Sequence, residues 1–285
     1  MRIVINDNQL EVEVLGPQGA PVLIAHHGAP GLGSRAEPRA SWGRLADVFR
    51  VVVFDARGSG ESEGRPPFTH EQWAADVEGL RRWIGAERFV MAGGSYGGFI
   101  AMEYTIRHPE RVSALVLRDT SPDHDNEEAA QRNALSSTRV RVDLEKFRRI
   151  HEGRVRDNAD LEDCWREILP LYDYEYDPAV VEAKALATPY RYETHNFAFS
   201  VNVPRYDIKD QLHRITCPVL VTVGRHDWIT PVDASERIVS LLPDGRLVVF
   251  ERSGHSPQIE EAELWERTVR EFLHEVGADR NVAAA

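Results

Sequence analysis

The feature that most constrains this chain is the pentapeptide GGSYG at positions 93–97, which fits the pattern G-x-S-x-G. An apolar run, 88–92, leads into it, and a segment of helical character, 98–108, follows. Serine at such a strand-to-helix turn needs small neighbours, because strand and helix crowd together around a strained backbone. The turn lifts the hydroxyl clear of the sheet and places it at a helix N-terminus, which favours a developing anion. The pattern predicts that Ser95 is a catalytic nucleophile, with a purely structural turn as the alternative.

Strands and helices alternate along the first half of the chain. Three short apolar runs, beginning at Val22, Val51 and Phe89, are typical of strands buried on both faces of a parallel sheet. Thr69 and Gln72 fit a capping box for one of the helices. The alternation predicts the α/β class, with a doubly wound, mostly parallel sheet. Strands are predicted at 2–5, 10–15, 22–26, 51–55, 88–92, 113–118, 219–223 and 247–250, and helices at 41–48, 70–84, 98–108, 144–150, 161–169 and 260–275.

The pattern changes between residues 122 and 204. This segment contains no clear buried strand, is rich in Arg, Glu, Asp and Tyr, and is interrupted by prolines. We interpret it as a helical cap inserted into a core made of residues 1–121 and 205–285, because long insertions of this kind are commonly active-site lids. The alternative is a set of ordinary surface helices that form no lid.

Composition limits the partners of the chain. Its 285 residues, 42% of them hydrophobic, fit a soluble protein with one large domain or a core that carries an insertion. A net charge of −12 argues against nucleic acid and against an anionic membrane surface as partners. No secretory leader or membrane-spanning apolar run is recognisable, so we expect a cytoplasmic protein. The oligomeric state is left open.

The cysteines and the metal-ligand spacings point to a protein without a redox or metal centre. Cys164 and Cys217 are the only cysteines and lie far apart in the sequence. We therefore expect two reduced thiols rather than a disulfide. No spacing such as C-x-x-C or H-E-x-x-H is present. We expect neither a metal nor another cofactor.

His255 is the candidate base for the serine. A serine hydroxyl is a weak nucleophile until a base accepts its proton and an acid orients that base. His255 lies in the loop SGHS, 253–256, just after the predicted strand 247–250. That position brings an imidazole to the carboxyl edge of a parallel sheet, where Ser95 is also expected. The alternative is a surface-loop histidine.

Asp227 is the candidate acid. The predicted strand 219–223 ends in the sequence GRHD, 224–227, which places a carboxylate just past the strand tip. Enzymes with this serine turn follow the chain order serine, acid, histidine, and Asp227 keeps that order. Asp233 and Asp210 are alternative acids that lie further from a strand end.

The loop HGAPG, 27–31, is the candidate oxyanion site. An acyl-transfer site needs two N–H donors for the developing oxyanion. We predict the backbone N–H of Tyr96, directly after the nucleophile, and the N–H of Ala29. Gly28 is small enough to let a substrate carbonyl approach the backbone and is a candidate substrate contact. The loop DARGSGES, 55–62, is interpreted as a structural turn that braces the same face.

Together these segments resemble the prolyl iminopeptidases, peptidase family S33 of the α/β-hydrolases. Residues 27–31 resemble the HGGPG box of that group, residues 55–60 its DQRGxGxS loop, and residues 93–98 its GGSWG elbow. Residues 224–227 and 254–255 match its acid and base segments. The resemblance implies an α/β-hydrolase fold. It also implies a serine peptidase that releases an N-terminal residue, typically proline, from a short-peptide or small-molecule substrate.

The cap leaves the substrate class open. In the prolyl iminopeptidases, cap carboxylates hold the free amine of the substrate. Asn196 occupies a place that corresponds to an amine-binding glutamate of such relatives, and Glu193 and Glu175 are candidates to replace it. A solvated surface charge is the alternative for each glutamate. A carboxylesterase or amino-acid amidase on the same fold is therefore an alternative activity, and a non-enzymatic binding protein is another.

Overall fold

The computed structural model describes residues 1–280 and has an eight-stranded sheet at its centre. Continuous apolar runs form the inner strands because both faces of those strands are covered. The strands are β1 (Arg2–Ile5), β2 (Asn8–Leu15), β3 (Val22–His26), β4 (Arg50–Phe54), β5 (Phe89–Gly94), β6 (Val112–Arg118), β7 (Val219–Gly224) and β8 (Gly245–Phe250).

The sheet has the order β1-β2-β4-β3-β5-β6-β7-β8. β1 pairs antiparallel with β2, and β2 pairs antiparallel with β4, whereas every other neighbouring pair is parallel. The prediction of a mostly parallel, doubly wound sheet is therefore confirmed. Because β5, β6, β7 and β8 run in the same direction side by side, their carboxyl ends meet along one edge. The loops that leave those strands can thus bring side chains together there.

Helices cover both faces of the sheet. The helices at 127–135, 178–187, 192–197 and 232–241 are absent from the sequence prediction, and the bounds of others differ from it. The helix predicted at 41–48 begins earlier, at Ala36, and ends at Trp42, where a short 3-10 turn takes over. The helix predicted at 260–275 is interrupted at Glu261, whose side chain accepts hydrogen bonds from the 252–253 loop. The helices are α1 (Ala36–Trp42), α2 (His70–Ile84), α3 (Tyr96–Arg107), α4 (Glu127–Leu135), α5 (Leu144–His151), α6 (Asn158–Ile168), α7 (Pro178–Ala187), α8 (Tyr192–Phe197), α9 (Val232–Leu241), α10 (Pro257–Glu260) and α11 (Ala262–Glu275).

The predicted capping box of α2 is made on one side only. The hydroxyl of Thr69 accepts a hydrogen bond from the backbone N–H of Gln72 at 3.3 Å, as expected of an N-cap. The Gln72 side chain, however, donates to Asp76 at 3.0 Å instead of returning to the cap residue. Asp76 also binds the buried Arg57, so the glutamine joins an existing ion pair.

Helices α4 to α8 lie between β6 and β7 along the chain, where the sequence predicts a cap. The segment enters and leaves through a narrow neck, at which Asp123 and Asp207 form an isolated antiparallel bridge. The ammonium group of Lys209 lies 3.3 Å from Asp123 and 2.6 Å from Asp125. The helices bury an apolar cluster of their own, which also includes Trp228 of the core. These contacts favour the division into core and cap, which stays a prediction; residues 281–285 lie outside the described chain.

Two further expectations concern the cysteines, which the sequence predicts to be reduced, and membrane-spanning helices, which it does not predict. Cys164 and Cys217 are both buried and free, as the sequence predicts. Within residues 1–280, no helix combines the length and the apolar character that crossing a membrane would require.

Candidate active site

Ser95 alone makes the turn between β5 and α3. Its backbone has φ 53° and ψ −128°, a strained conformation for a residue with a side chain. The flanking glycines are required by close approach: a Cβ on Gly93 would lie 2.2 Å from the carbonyl oxygen of Gly97. A Cβ on Gly97 would lie 2.3 Å from that of His27. The predicted strand–turn–helix with Ser95 at its tip is therefore confirmed, whereas its catalytic role stays a prediction.

His255 and Asp227 form a buried hydrogen-bonded pair just beyond β8 and β7. The imidazole Nδ1 lies 2.8 Å from Asp227 Oδ2. The other oxygen of Asp227 accepts hydrogen bonds from the backbone N–H groups of Ile229 at 3.0 Å and Thr230 at 3.1 Å. The Thr230 hydroxyl also donates to Oδ2 at 2.8 Å. Both carboxylate oxygens are thus fixed, and the carboxylate in turn fixes the imidazole.

The pair perturbs the pKa of each partner. Burial lowers the pKa of His255, but the carboxylate of Asp227 outweighs it and leaves that pKa above its ordinary value. Burial raises the pKa of Asp227, but the imidazole and the hydrogen bonds from Thr230 hold that pKa below its ordinary value. The buried Nε2 of His255 has no hydrogen-bond partner within residues 1–280. An imidazole held through Nδ1 presents Nε2 as its available basic nitrogen.

Arg118, the last residue of β6, joins the serine turn to the histidine loop. Its carbonyl oxygen accepts the backbone N–H of Ser95 at 2.8 Å. Its guanidinium donates to the carbonyl oxygen of His255 at 2.9 Å and lies 3.1 Å from Glu37. The sequence analysis did not find this residue. The sequence signal that could have identified it is a charged residue at the end of an otherwise apolar strand.

The predicted oxyanion loop lies directly against the serine. A Cβ on Gly28 would lie 3.5 Å from Ser95 Cβ and 4.0 Å from its Oγ. The carbonyl oxygen of Ala29 accepts hydrogen bonds that close a tight turn, while its N–H donates to none of the residues 1–280. Tyr96 is the first residue of α3, so its N–H has no acceptor within the helix. Both amides are suited to bind an oxyanion, a role that stays a prediction.

His27 holds this loop to the core and was also missed by the sequence analysis. Its Nε2 accepts the backbone N–H of Ala56 at 3.0 Å, and its Nδ1 donates to the carbonyl oxygen of Gly28 at 2.9 Å. Burial lowers the pKa of His27 to about 4, so the imidazole is neutral at pH 7 and one nitrogen can accept. A histidine directly after an apolar strand, at the start of HGAPG, is the signal that could have identified it.

The side chain of Tyr96 connects the serine turn to the cap. Its hydroxyl lies 2.8 Å from Nε2 of His70 and 3.3 Å from the amide nitrogen of Asn202. Burial raises the pKa of Tyr96 well above its ordinary value. The tyrosine is therefore a neutral anchor, and it restrains the residue whose N–H is the first predicted oxyanion donor.

The two cap carboxylates predicted to hold a substrate amine are exposed. Glu175 lies 3.4 Å from Arg252, itself on the surface. Glu193 accepts a hydrogen bond from the Tyr192 hydroxyl at 3.5 Å. In the described chain, neither carboxylate has a hydrogen bond or ion pair with the three predicted catalytic residues. Their part in substrate binding stays a prediction.

Asn196 uses both ends of its amide inside the cap. Its oxygen accepts the backbone N–H of Val155 at 3.2 Å, and its nitrogen donates to the carbonyl oxygen of the same residue at 2.7 Å. The side chain is half-buried. These two bonds hold the loop between α5 and α6 against α8. A role in substrate binding stays a prediction for this residue too.

Aromatic side chains enclose the imidazole on the cap side. The carbonyl oxygen of Tyr172 accepts the backbone N–H of His255 at 2.7 Å. The Tyr172 ring stands edge-on to the imidazole, with the centroids 5.2 Å apart. Trp228 follows the acid in the chain and lies 5.5 Å from Tyr172 and 6.1 Å from Phe147 of α5. This aromatic wall, Tyr172, Trp228 and Phe147, gives the site an apolar boundary.

The chain is similar to known proteins over most of its length. The family model of the alpha/beta hydrolase fold matches residues 21–262. A proline iminopeptidase of Pestalotiopsis fici is 33% identical over 274 residues, which cover 94% of this chain and 97% of that relative. A proline iminopeptidase of Neisseria gonorrhoeae is 29% identical and covers 84% of each chain. The solved structure of a thermophilic esterase from Thermogutta terrifontis has 28% identity and a TM-score of 0.76, and covers 97% of this chain and 98% of that one.

These relatives share hydrolysis but differ in the substrates that their names describe. Two are named for iminopeptidase activity and one for esterase activity. The non-enzymatic alternative finds no support among them. The similarity over most of the chain and the strand order of the sheet both indicate the same fold. The chain therefore belongs to the α/β-hydrolase fold family, among its prolyl-iminopeptidase-like members, and is a hydrolase.

Proposed function

We propose that the chain is a serine hydrolase that cleaves a small amide or ester through an acyl-enzyme. The observation that carries this proposal is the buried pair of His255 and Asp227, which Arg118 joins to the turn at Ser95. A nucleophile, a base and an orienting acid from three loops at one sheet edge are the parts that acyl transfer requires.

In the first half of the reaction, Ser95 Oγ attacks the substrate carbonyl carbon. Nε2 of His255 accepts the hydroxyl proton as the Oγ–C bond forms. The resulting oxyanion is stabilised by the N–H groups of Tyr96 and Ala29. The bond between the acyl carbon and the leaving nitrogen or oxygen then breaks, and the imidazolium gives its proton to the leaving amine or alcohol. Asp227 stabilises the imidazolium without taking its proton.

In the second half, water releases the acyl group. Nε2 of His255 accepts a proton from the water while its oxygen attacks the ester carbon on Ser95. The second oxyanion occupies the same two N–H donors. Collapse returns the proton to Ser95 Oγ and frees the acid, so the enzyme regains its starting state.

The preferred substrate is a short peptide or small amide with an N-terminal proline or similar residue. The two iminopeptidase relatives support this substrate class. The aromatic wall supports it as well, because the methylene groups of a pyrrolidine ring are small and apolar and can pack against an apolar surface. Such an enzyme would release the N-terminal residue as the acyl product.

A carboxylesterase or amino-acid amidase is the second candidate. One observation favours it: Glu175 and Glu193 are exposed and contact surface residues. A site without an amine anchor accepts acyl groups that carry no charge. The esterase relative is consistent with that alternative.

Labelling with a fluorophosphonate probe tests the serine mechanism. The natural chain should be labelled at Ser95, and Ser95→Ala should not be labelled. Ser235→Ala is the matched control, because Ser235 is buried in α9 and its hydroxyl makes no hydrogen bond within residues 1–280. Absence of label on Ser95 in the natural chain would contradict the proposal.

A substrate panel separates the two candidates. It compares an L-prolyl arylamide, its N-acetylated form and short p-nitrophenyl esters. An iminopeptidase should cleave the first and lose at least about a hundredfold in kcat/KM when the amine is acetylated, because a site that binds the free amine rejects an analogue without it. Equal rates for the free and acetylated amides, or cleavage of the esters alone, would favour the second candidate.

A further inference from the structure

Asp119, which the proposed mechanism does not use, follows Arg118 at the carboxyl end of β6. Its side chain is fully buried, and its φ of 47° lies in the left-handed region, where a residue other than glycine is strained. Its backbone N–H donates to the carbonyl oxygen of Thr222 in β7 at 2.9 Å. A strained conformation persists when surrounding contacts fix it, and here those contacts place a carboxyl group beside the candidate active site.

The Asp119 carboxyl group lies against the pair of Asp227 and His255. One oxygen of each carboxyl group and one ring nitrogen of the histidine all lie within 4.8 Å of one another. One Asp119 oxygen accepts the backbone N–H of Gly224 at 2.9 Å, and the other lies 3.5 Å from the Arg118 guanidinium. Because β6 and β7 are adjacent and parallel, their ends bring two acids to one imidazole.

Two buried carboxyl groups this close do not ionise independently. Burial and then the negative charge of Asp227 raise the pKa of Asp119 to about 7, against the opposing effects of His255 and Arg118. The pKa of Asp227 stays low because of its own bond to the imidazole. Asp227 is therefore the first of the two to ionise, and Asp119 retains a proton up to about pH 7.

We infer that Asp119 is a second acid for His255, a positioning residue that supplies negative charge beside the imidazole when Asp227 carries none. The inference rests on the proposed function. Without the charge on Asp227, its repulsion is lost while burial remains, so the pKa of Asp119 falls and its ionised carboxylate stabilises the imidazolium. Arg118, and Glu37 paired with it, are the other charged groups at this site.

A double-mutant cycle on the full chain tests the inference. Asp227→Asn, Asp119→Asn and the double variant preserve side-chain shape, and asparagine at 119 still accepts the Gly224 N–H. Hydrolysis of p-nitrophenyl acetate and the rate of fluorophosphonate labelling are measured for each. Asp227→Asn should lower kcat by about 100-fold, and Asp119→Asn alone by less than about fivefold. Together they should lower it by about 10⁴-fold, the loss expected of a triad without a working acid.

A pH profile adds a readout that a merely structural Asp119 would not move. In the Asp227→Asn background, the negative charge of Asp119 raises the pKa of His255, so adding Asp119→Asn there should shift the acid limb of kcat/KM to lower pH. Asp123→Asn in the Asp227→Asn background is the matched control. Asp123 is equally buried but pairs with Arg237, so the residual rate should not change.

Two outcomes would overturn the inference. One is an Asp227→Asn variant as inactive as Ser95→Ala. The other is an Asp119→Asn loss of the same factor in both backgrounds, with an unmoved pH profile, which would indicate a structural role. Failure of the proposed function is distinct from both, because the natural chain would then neither hydrolyse the ester nor be labelled at Ser95.

Discussion

The candidate catalytic residues at the carboxyl edge of the sheet and the two candidate carboxylates of the helical segment 122–204 are held in different ways. At the sheet edge, Asp227, His255 and Arg118 are buried, and each has partners from more than one element. In the helical segment, the two candidate carboxylates are exposed and each contacts one surface neighbour. The first group is fixed in one geometry by several contacts, whereas each member of the second has a single surface contact.

Ser95→Ala should abolish turnover at the sheet edge. The nucleophile has no substitute there, so kcat should fall by at least about 10⁴-fold. The midpoint of thermal unfolding should not fall, because the strained turn is fixed by the glycines around it rather than by the hydroxyl. Ser235→Ala should keep full activity. A Ser95→Ala variant with more than a tenth of the natural rate would refute the assignment.

Arg118→Met should damage both the geometry and the stability of the edge. The change removes a charge-assisted hydrogen bond to the His255 carbonyl oxygen and leaves that buried group unpaired. We expect kcat/KM to fall by about 100-fold and the free energy of unfolding by about 2 kcal/mol, measured by denaturant titration. Arg225→Met, which breaks an exposed ion pair with Glu251, should change either quantity little. Equal effects of the two variants would remove the contrast between edge and surface.

The pH dependence of kcat/KM should follow His255. Burial lowers the pKa of this imidazole, but the Asp227 carboxylate raises it more, to a value above 6.5. Only the neutral imidazole accepts a proton, so activity should be full above that pKa and fall about tenfold per pH unit below it. Intrinsic fluorescence across the same range checks that the fold persists. An acid limb centred below pH 6 would contradict the pairing of the two residues.

The cap carboxylates should have the smallest effect. Glu193→Gln and Glu175→Gln, singly and together, should change KM for an L-prolyl arylamide by less than about threefold, since exposed charges contribute about 0–1 kcal/mol. The same variants assayed with an uncharged ester provide the control. A tenfold rise in KM for the prolyl substrate alone would show that the cap holds the amine, and that the exposed carboxylates contribute as much as buried groups do.

The sequence was most informative where a short segment determines its own backbone. The turn at 93–97 and helix α2 lie where the pattern predicts, because glycine spacing and apolar periodicity are local properties. The chain order of Ser95, Asp227 and His255 follows the same logic. Helix α11 begins at Ala262 rather than at the predicted residue 260. The Glu261 side chain just before it binds the loop at 252–253, a contact that apolar periodicity does not predict.

The sequence therefore predicted the strands and the mostly parallel sheet, the serine turn, and the loops that carry His255 and Asp227. The folded chain adds that Arg118 joins the serine turn to the His255 loop, that His27 holds the loop 27–31 to the core, and that Asp119 lies beside Asp227. The physical reason is that strand order and register set which side chains meet at the sheet edge. Residues more than a hundred positions apart become neighbours there, although nothing in either local segment identifies its partner.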